Sequence, residues 1–169
     1  MVGSGNTEIN RRVKALSDHL LQANLVMVTA ESCTGGGIAQ AITALAGSSR
    51  WFDSGFVTYS NEAKQLMLDV PAVFFEPGGP GAVSEETVRA MVTGALRRSG
   101  ADLAVAVSGV AGPGGGSVSK PVGTVWIAWQ LGSNARARHF LFSGDREAVR
   151  QATIFEALSG LLAYFSPEL

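Results

Sequence analysis

A serine at position 32 stands where an apolar run, Leu25 to Thr29, breaks into the string Ala30-Glu31-Ser32-Cys33-Thr34 and then three glycines, Gly35-Gly36-Gly37. A small hydroxyl residue at a strand end, just ahead of a helix, can present a nucleophile or cradle an anion. The first N–H groups of a helix lack partners inside it, and its dipole there favours negative charge. The glycines could equally serve a tight turn or close packing. They lack the spacing of a dinucleotide site, and no Gly-Lys-Ser/Thr follows as in a P-loop. Cys33 is a second possible nucleophile, although a lone cysteine without a nearby histidine also reads as a small buried filler.

Lys64 lies on a short helix directly after the strand end Val57-Thr58-Tyr59. A lysine there could be an ordinary solvated charge. Partly desolvated beside Ser32, it would have a lowered pKa and could act as a base. With no histidine near any motif, a serine–lysine pair is the leading way to activate Ser32. A second glycine-rich segment, Ser108 to Gly116, also follows an apolar strand. It is either a flexible surface loop or a row of bare N–H groups able to hold an anion or oxyanion. Arg146 opens the last helix, where a cation opposes the dipole, so it faces either an anionic ligand or a salt bridge to Asp145 or Glu147.

The elements that must position these residues follow from periodicity. Helical spacing runs over Thr7 to Leu21, Ile38 to Leu45, Ser60 to Leu68, Ser84 to Arg98 and Arg146 to Tyr164. Strand-like runs cover Leu25 to Thr29, Trp51 to Tyr59, Ala101 to Val107, Val122 to Leu131 and Ala135 to Phe142, the last two forming a hairpin across Gly132-Ser133-Asn134. Ser60 and Ser84 read as helix caps, and Asp69 to Ala82 as a proline- and glycine-rich loop. Trp126 and Trp129, three apart on a strand, face opposite sides, and at least one belongs to the core. The alternation predicts one α/β domain over residues 1–169, a three-layer α/β/α sandwich. Its sheet is mixed and mostly parallel, with an antiparallel hairpin. The C-terminal ends of parallel strands form the ligand crevice of such sheets, so Ser32, Tyr59 and Ser108 should converge on one edge.

Bulk composition narrows the function classes. The 169 residues are 46% hydrophobic with a formal net charge of -1, and the basic residues are scattered, which disfavours nucleic acid as a partner. The single cysteine rules out an internal disulfide and a Cys-rich zinc site, and two separated histidines make a metal centre unexpected. No signal peptide and no membrane-length apolar run is visible, so a cytoplasmic protein is expected, with a homo-oligomer plausible from the apolar content.

Together, the strings TAESCTGG, GSSRWFDSGFVTYSNEAK, GAVSEETV, SGVAGPGGG, KPVGTVWIAW and FSGDREAVR resemble the C-terminal domain of the competence/damage-inducible CinA family. The likeness runs from about Leu25 to about Arg150. It implies a nicotinamide-nucleotide amidase: hydrolysis of the carboxamide of nicotinamide mononucleotide to nicotinate mononucleotide and ammonia, in pyridine-nucleotide salvage. It further implies no metal or other cofactor. On that resemblance Ser32 is the nucleophile, Lys64 its base, and Tyr59 a third catalytic-site residue. Thr34, Gly35, Gly36, Ser108, Gly109, Gly112 and Arg146 would bind substrate, with N–H groups near Thr34 and Gly35 holding the oxyanion. Many members carry a further N-terminal domain similar to molybdopterin-binding proteins, and the expectation here is the amidase portion alone. The Phe74–Pro80 loop is unusual and suggests a lid or a subunit contact. The rival reading is a non-catalytic nucleotide-sensing or partner-binding module of the same fold, which would bind the mononucleotide without releasing ammonia.

Overall fold

A computed structural model describes residues 3–165, with side chains from residue 6 onward. Helix α1 (Gly3–Ala23) leads into β1 (Met27–Glu31), α2 (Gly37–Thr43), β2 (Phe52–Val57), α3 (Asn61–Leu68) and α4 (Glu85–Ser99). The remaining elements are β3 (Leu103–Gly109), β4 (Thr124–Leu131), β5 (Asn134–Leu141) and α5 (Arg146–Leu162). The sheet order is β2-β1-β3-β4-β5. β1 pairs in parallel with both β2 and β3, while β3–β4 and β4–β5 are antiparallel, so only β4 runs against the other strands. This is the expected mixed α/β sheet between helical layers.

Two apolar clusters lie on opposite faces. One joins Leu16, Leu20, Ile38, Ile42, Leu158 and Leu161 of α1, α2 and α5 to Met27, Val105 and Trp129 of the sheet. The other joins Val88, Met91, Val92 and Leu68 of α4 and α3 to Val28, Ala30, Ala106 and Ala128. Alternate residues of one strand enter opposite clusters because successive side chains leave opposite faces. Trp129 sits in the first cluster, its Nε1–H donating to Ala157 O at 2.8 Å, and Trp126 packs against the second.

Several boundaries differ from the sequence expectation. β1 runs on through Glu31, since this interior strand is hydrogen-bonded on both sides and wholly buried. β4 starts at Thr124, not Val122, because Gly123 holds φ 95°. The hairpin closes over Gly132-Ser133 with Leu131 paired to Asn134. The Asp69–Ala82 loop contains one 3-10 turn, Ala72–Phe75.

α3 carries Lys64, and its seat is set by α4. Ser60 Oγ accepts from Ala63 N–H at 3.0 Å to cap α3, and at its other end Asp69 is held by Arg97 and Arg98 of α4. Between them Gly94 allows helix contact, for a Cβ there would lie 2.0 Å from Leu68 O. Backbone cannot yield to such a clash, so Gly94→Ala should push α3 away and cost about 1–3 kcal/mol. The expected result is a lowered melting temperature together with reduced activity in the remaining folded protein; an unchanged melting temperature would refute the close packing.

Candidate active site

β1, β2 and β3 end together, and the residues that follow them meet. Ser32 N–H donates to Val107 O at 3.1 Å and Thr58 N–H to Glu31 O at 2.9 Å, so the serine is pinned between the two neighbouring strand ends. Lys64, one turn into α3, points back across this junction. Its Nζ lies 3.0 Å from Ser32 Oγ and donates to Thr58 O at 2.8 Å. The same peptide segment thus holds the serine's strand through its N–H and the lysine through its carbonyl.

Lys64 is 1% exposed, and among the described residues no carboxylate is in ion-pair contact with it. Burial lowers its ammonium pKa from 10.5 to about 8, the nearby Cys33 pulling slightly the other way. An amine of that pKa is neutral in a useful fraction of molecules near neutrality and can take a hydroxyl proton. Cys33 is different. Burial, reinforced by the charge of Glu31, pushes its thiol up to about 12, so it stays protonated and fills space.

Ser32, Tyr59, Lys64, Ser108, Gly109, Gly112 and Arg146 all line one cavity of about 260 Å³. Arg146 makes no pair with its acidic neighbours. Asp145 instead caps Ala148 N–H at 2.9 Å, and Glu147 faces Arg150 at 3.5 Å. The Arg146 guanidinium donates to Gly112 O and to Tyr59 Oη, each at 2.7 Å. It therefore ties the second glycine-rich loop to the β2–α3 junction and leaves a cation at the cavity wall. Ser108 Oγ donates to Ala82 O at 2.7 Å, and Lys120 Nζ reaches Pro80 O at 2.7 Å. These bonds fasten the end of the Phe74–Pro80 loop, so that Ala82 and Val83 form another wall.

Thr34, Gly35 and Gly36 lie elsewhere, behind the serine and off the cavity lining. Thr34 Oγ1 donates to Glu31 Oε1 at 2.7 Å, Gly35 N–H to Ser32 O at 3.0 Å, and Gly37 N–H to Thr34 O at 3.0 Å. The expected oxyanion donor at Gly35 is thereby committed to the turn itself. Gly36, with φ 95°, is the residue that turns the chain into α2. The start of α2 is occupied by the chain's own anion: Glu31 accepts from Ile38 N–H at 2.8 Å and Ala39 N–H at 3.0 Å.

Asn61 and Glu31, at or beside the site, escaped the sequence reading. Asn61 lines the cavity one turn before Lys64, on the same helix face, and that i, i+3 spacing was the available signal. Glu31 was visible as an acid within a buried strand, where a carboxylate must find donors. Among the described residues, no three His, Cys, Asp or Glu side chains gather to hold a metal ion, and no helix is long and apolar enough to cross a membrane.

The CinA C-terminal domain profile matches residues 9–165. The chain belongs to the CinA C-terminal domain family. It is 60% identical over 147 residues to a nicotinamide-nucleotide amidohydrolase PncC of Pseudomonas putida, covering 87% of this chain and 91% of that one. The PncC of Escherichia coli K12 is 46% identical over 161 residues, covering 95% and 96%. A longer CinA-like protein of Akkermansia muciniphila is 53% identical over 150 residues; they make up 88% of this chain and only 36% of that protein. Among solved structures, the competence/damage-inducible protein CihA of Agrobacterium tumefaciens superposes with a TM-score of 0.91 at 43% identity, over 94% of this chain and 96% of its own. The CinA fold in this chain therefore extends over nearly all of the described residues.

Proposed function

We propose that this CinA-family protein hydrolyses the carboxamide of nicotinamide mononucleotide by a serine nucleophile and a lysine base. The observation that carries this reading is the 3.0 Å approach of Lys64 Nζ to Ser32 Oγ at the cavity, with burial holding the amine's pKa near 8. The names of the PncC relatives supply the substrate.

Neutral Lys64 takes the Ser32 proton as Oγ bonds to the amide carbon. The carbonyl becomes an oxyanion, and as it re-forms, the C–N bond breaks with the proton passing from Lys64 to the departing amine. Ammonia leaves. Lys64, neutral again, deprotonates the water that attacks the ester, releasing nicotinate mononucleotide and restoring Ser32. Gly35 N–H is engaged in the turn, and the oxyanion donors in this reading are N–H groups of residues that line the cavity, Cys33 and the loop of Ala111, Gly112, Gly114 and Gly115.

Arg146 would receive the phosphate and Tyr59 would set its guanidinium. A charge-assisted bond of this kind is worth about 1.5–3 kcal/mol, so Arg146→Ala should raise KM for the mononucleotide roughly 10- to 100-fold. The riboside, lacking phosphate, should be turned over almost equally by both proteins; an equal loss on both substrates would deny Arg146 this role. For the activity itself, purified protein is incubated with nicotinamide mononucleotide, and one ammonia per nicotinate mononucleotide is expected. Binding of the mononucleotide, seen as a thermal shift, without ammonia would favour the non-catalytic module.

A further inference from the structure

We propose that Glu31 is a positioning residue of the reaction, its carboxylate holding the Ser32–Thr34 turn so that Ser32 Oγ faces Lys64. This rests on the serine–lysine reading above. Glu31 is fully buried, and no cation pairs with it among the described residues. Its charge is met by four donors. Oε1 accepts from Thr34 Oγ1 at 2.7 Å and Ile38 N–H at 2.8 Å, and Oε2 from Ala39 N–H at 3.0 Å and, more weakly, Thr29 Oγ1 at 3.4 Å.

The donors come from both sides of the nucleophile. Thr29 precedes Ser32 on β1, Thr34 follows it in the turn, and Ile38 and Ala39 belong to the first turn of α2. One carboxylate thus spans the sharp change of direction between strand and helix. The main chain of Glu31 adds a fifth tie, through Thr58 N–H, to the segment whose carbonyl holds Lys64. Base and nucleophile are consequently referenced to the same two residues, Glu31 and Thr58.

The task requires an acceptor-only group. A glutamine would keep the shape, but its NH2 would confront either the Ala39 N–H or the pair of donors on the other oxygen. The turn would have to shift to relieve that contact, and misplacement of a reacting atom by about 1 Å can cost about a hundredfold in rate.

The test uses Glu31→Gln and Thr34→Val, with a fluorophosphonate probe that labels activated serines and mass spectrometry to locate the label. Wild-type protein should be labelled at Ser32. Glu31→Gln should be labelled about a hundredfold more slowly but to the same final extent, with kcat reduced in step and KM unchanged. Thr34→Val, which removes one donor and leaves the carboxylate, should slow labelling by a smaller factor, and it decides the matter if Glu31→Gln does not fold. Labelling at the wild-type rate, whether complete or reduced only in final extent, would overturn the inference, because a role confined to folding changes the active fraction and not the rate constant. Failure to label wild-type Ser32 would overturn the serine–lysine reading, and this inference with it.

Discussion

Ser32→Ala is expected to lose ammonia release from nicotinamide mononucleotide by roughly 10⁶-fold in kcat, the scale found when a serine hydrolase loses its nucleophile. The neighbouring thiol cannot substitute. Cys33 is adjacent in sequence, but its thiol, buried and pushed up to about 12, is protonated throughout the working range. The substitution removes one hydrogen-bond partner of Lys64 and leaves the other, Thr58 O at 2.8 Å, so the cost in stability should be about 1 kcal/mol. Mononucleotide binding should persist, since Arg146 is untouched. The decisive measurement is turnover by a variant that is folded by circular dichroism and still binds substrate. Turnover at the wild-type rate would end the nucleophile assignment.

Lys64→Met should reduce kcat by about 10⁴-fold, the upper range for a general base, while keeping most of the buried volume. The wild-type pH profile should carry the same signature. Only neutral Lys64 can accept the serine proton, and with a pKa of about 8 roughly a tenth of the molecules are competent at pH 7. The rate, kcat/KM, should therefore climb about tenfold per pH unit below 8 and level off above it. A profile flat from pH 6 to 10 would remove lysine from the role.

Stability must follow the same titration. Lys64 holds its proton to about 8 in the folded protein, against 10.5 as its ordinary value. Between those pH values the unfolded chain binds the extra proton, so folding stability rises with pH. Below about 8 both states are protonated, and the burial penalty, about 3 kcal/mol, is felt in full. Across this window wild-type protein should gain stability relative to Lys64→Met, as read from denaturant midpoints for both proteins at pH 7.5 and 10.5. A constant difference would show that Lys64 is not desolvated. A penalty of this size at the heart of a fold is the kind of cost that functional sites carry.

The parts of the fold most legible in the sequence were those set by local chemistry. Ser60 and Ser84 cap α3 and α4 through the side-chain bonds their types allow. The Gly132-Ser133 hairpin and the opposite faces of Trp126 and Trp129 follow from turn residues and period two. Boundaries that depend on neighbours were less visible. β1 could not be seen to reach Glu31, because its last residues are strand only through pairing with β2 and β3. The occupant of the α2 N-terminus is hidden from the sequence for a related reason. An open helix N-terminus invites an anion, and only the folded backbone shows that Glu31 already provides one.

Residue type and order alone determined that Ser32 lies between a strand and a helix, that Lys64 opens the following helical crossover, that two glycine-rich loops follow two strand ends, and that the family strings occur together. These are properties of short segments, written in propensity, capping and periodicity. What the tertiary structure alone decided is which of these groups touch. Lys64 reaches Ser32 across 32 positions, Arg146 reaches Tyr59 across 87, and Ser108 turns to Ala82. Such distances depend on sheet order and helix seating, set by packing of the whole chain. Burial is likewise collective: it is the closing of α3 over the strand ends that strips water from Lys64 and makes a surface-type residue a base.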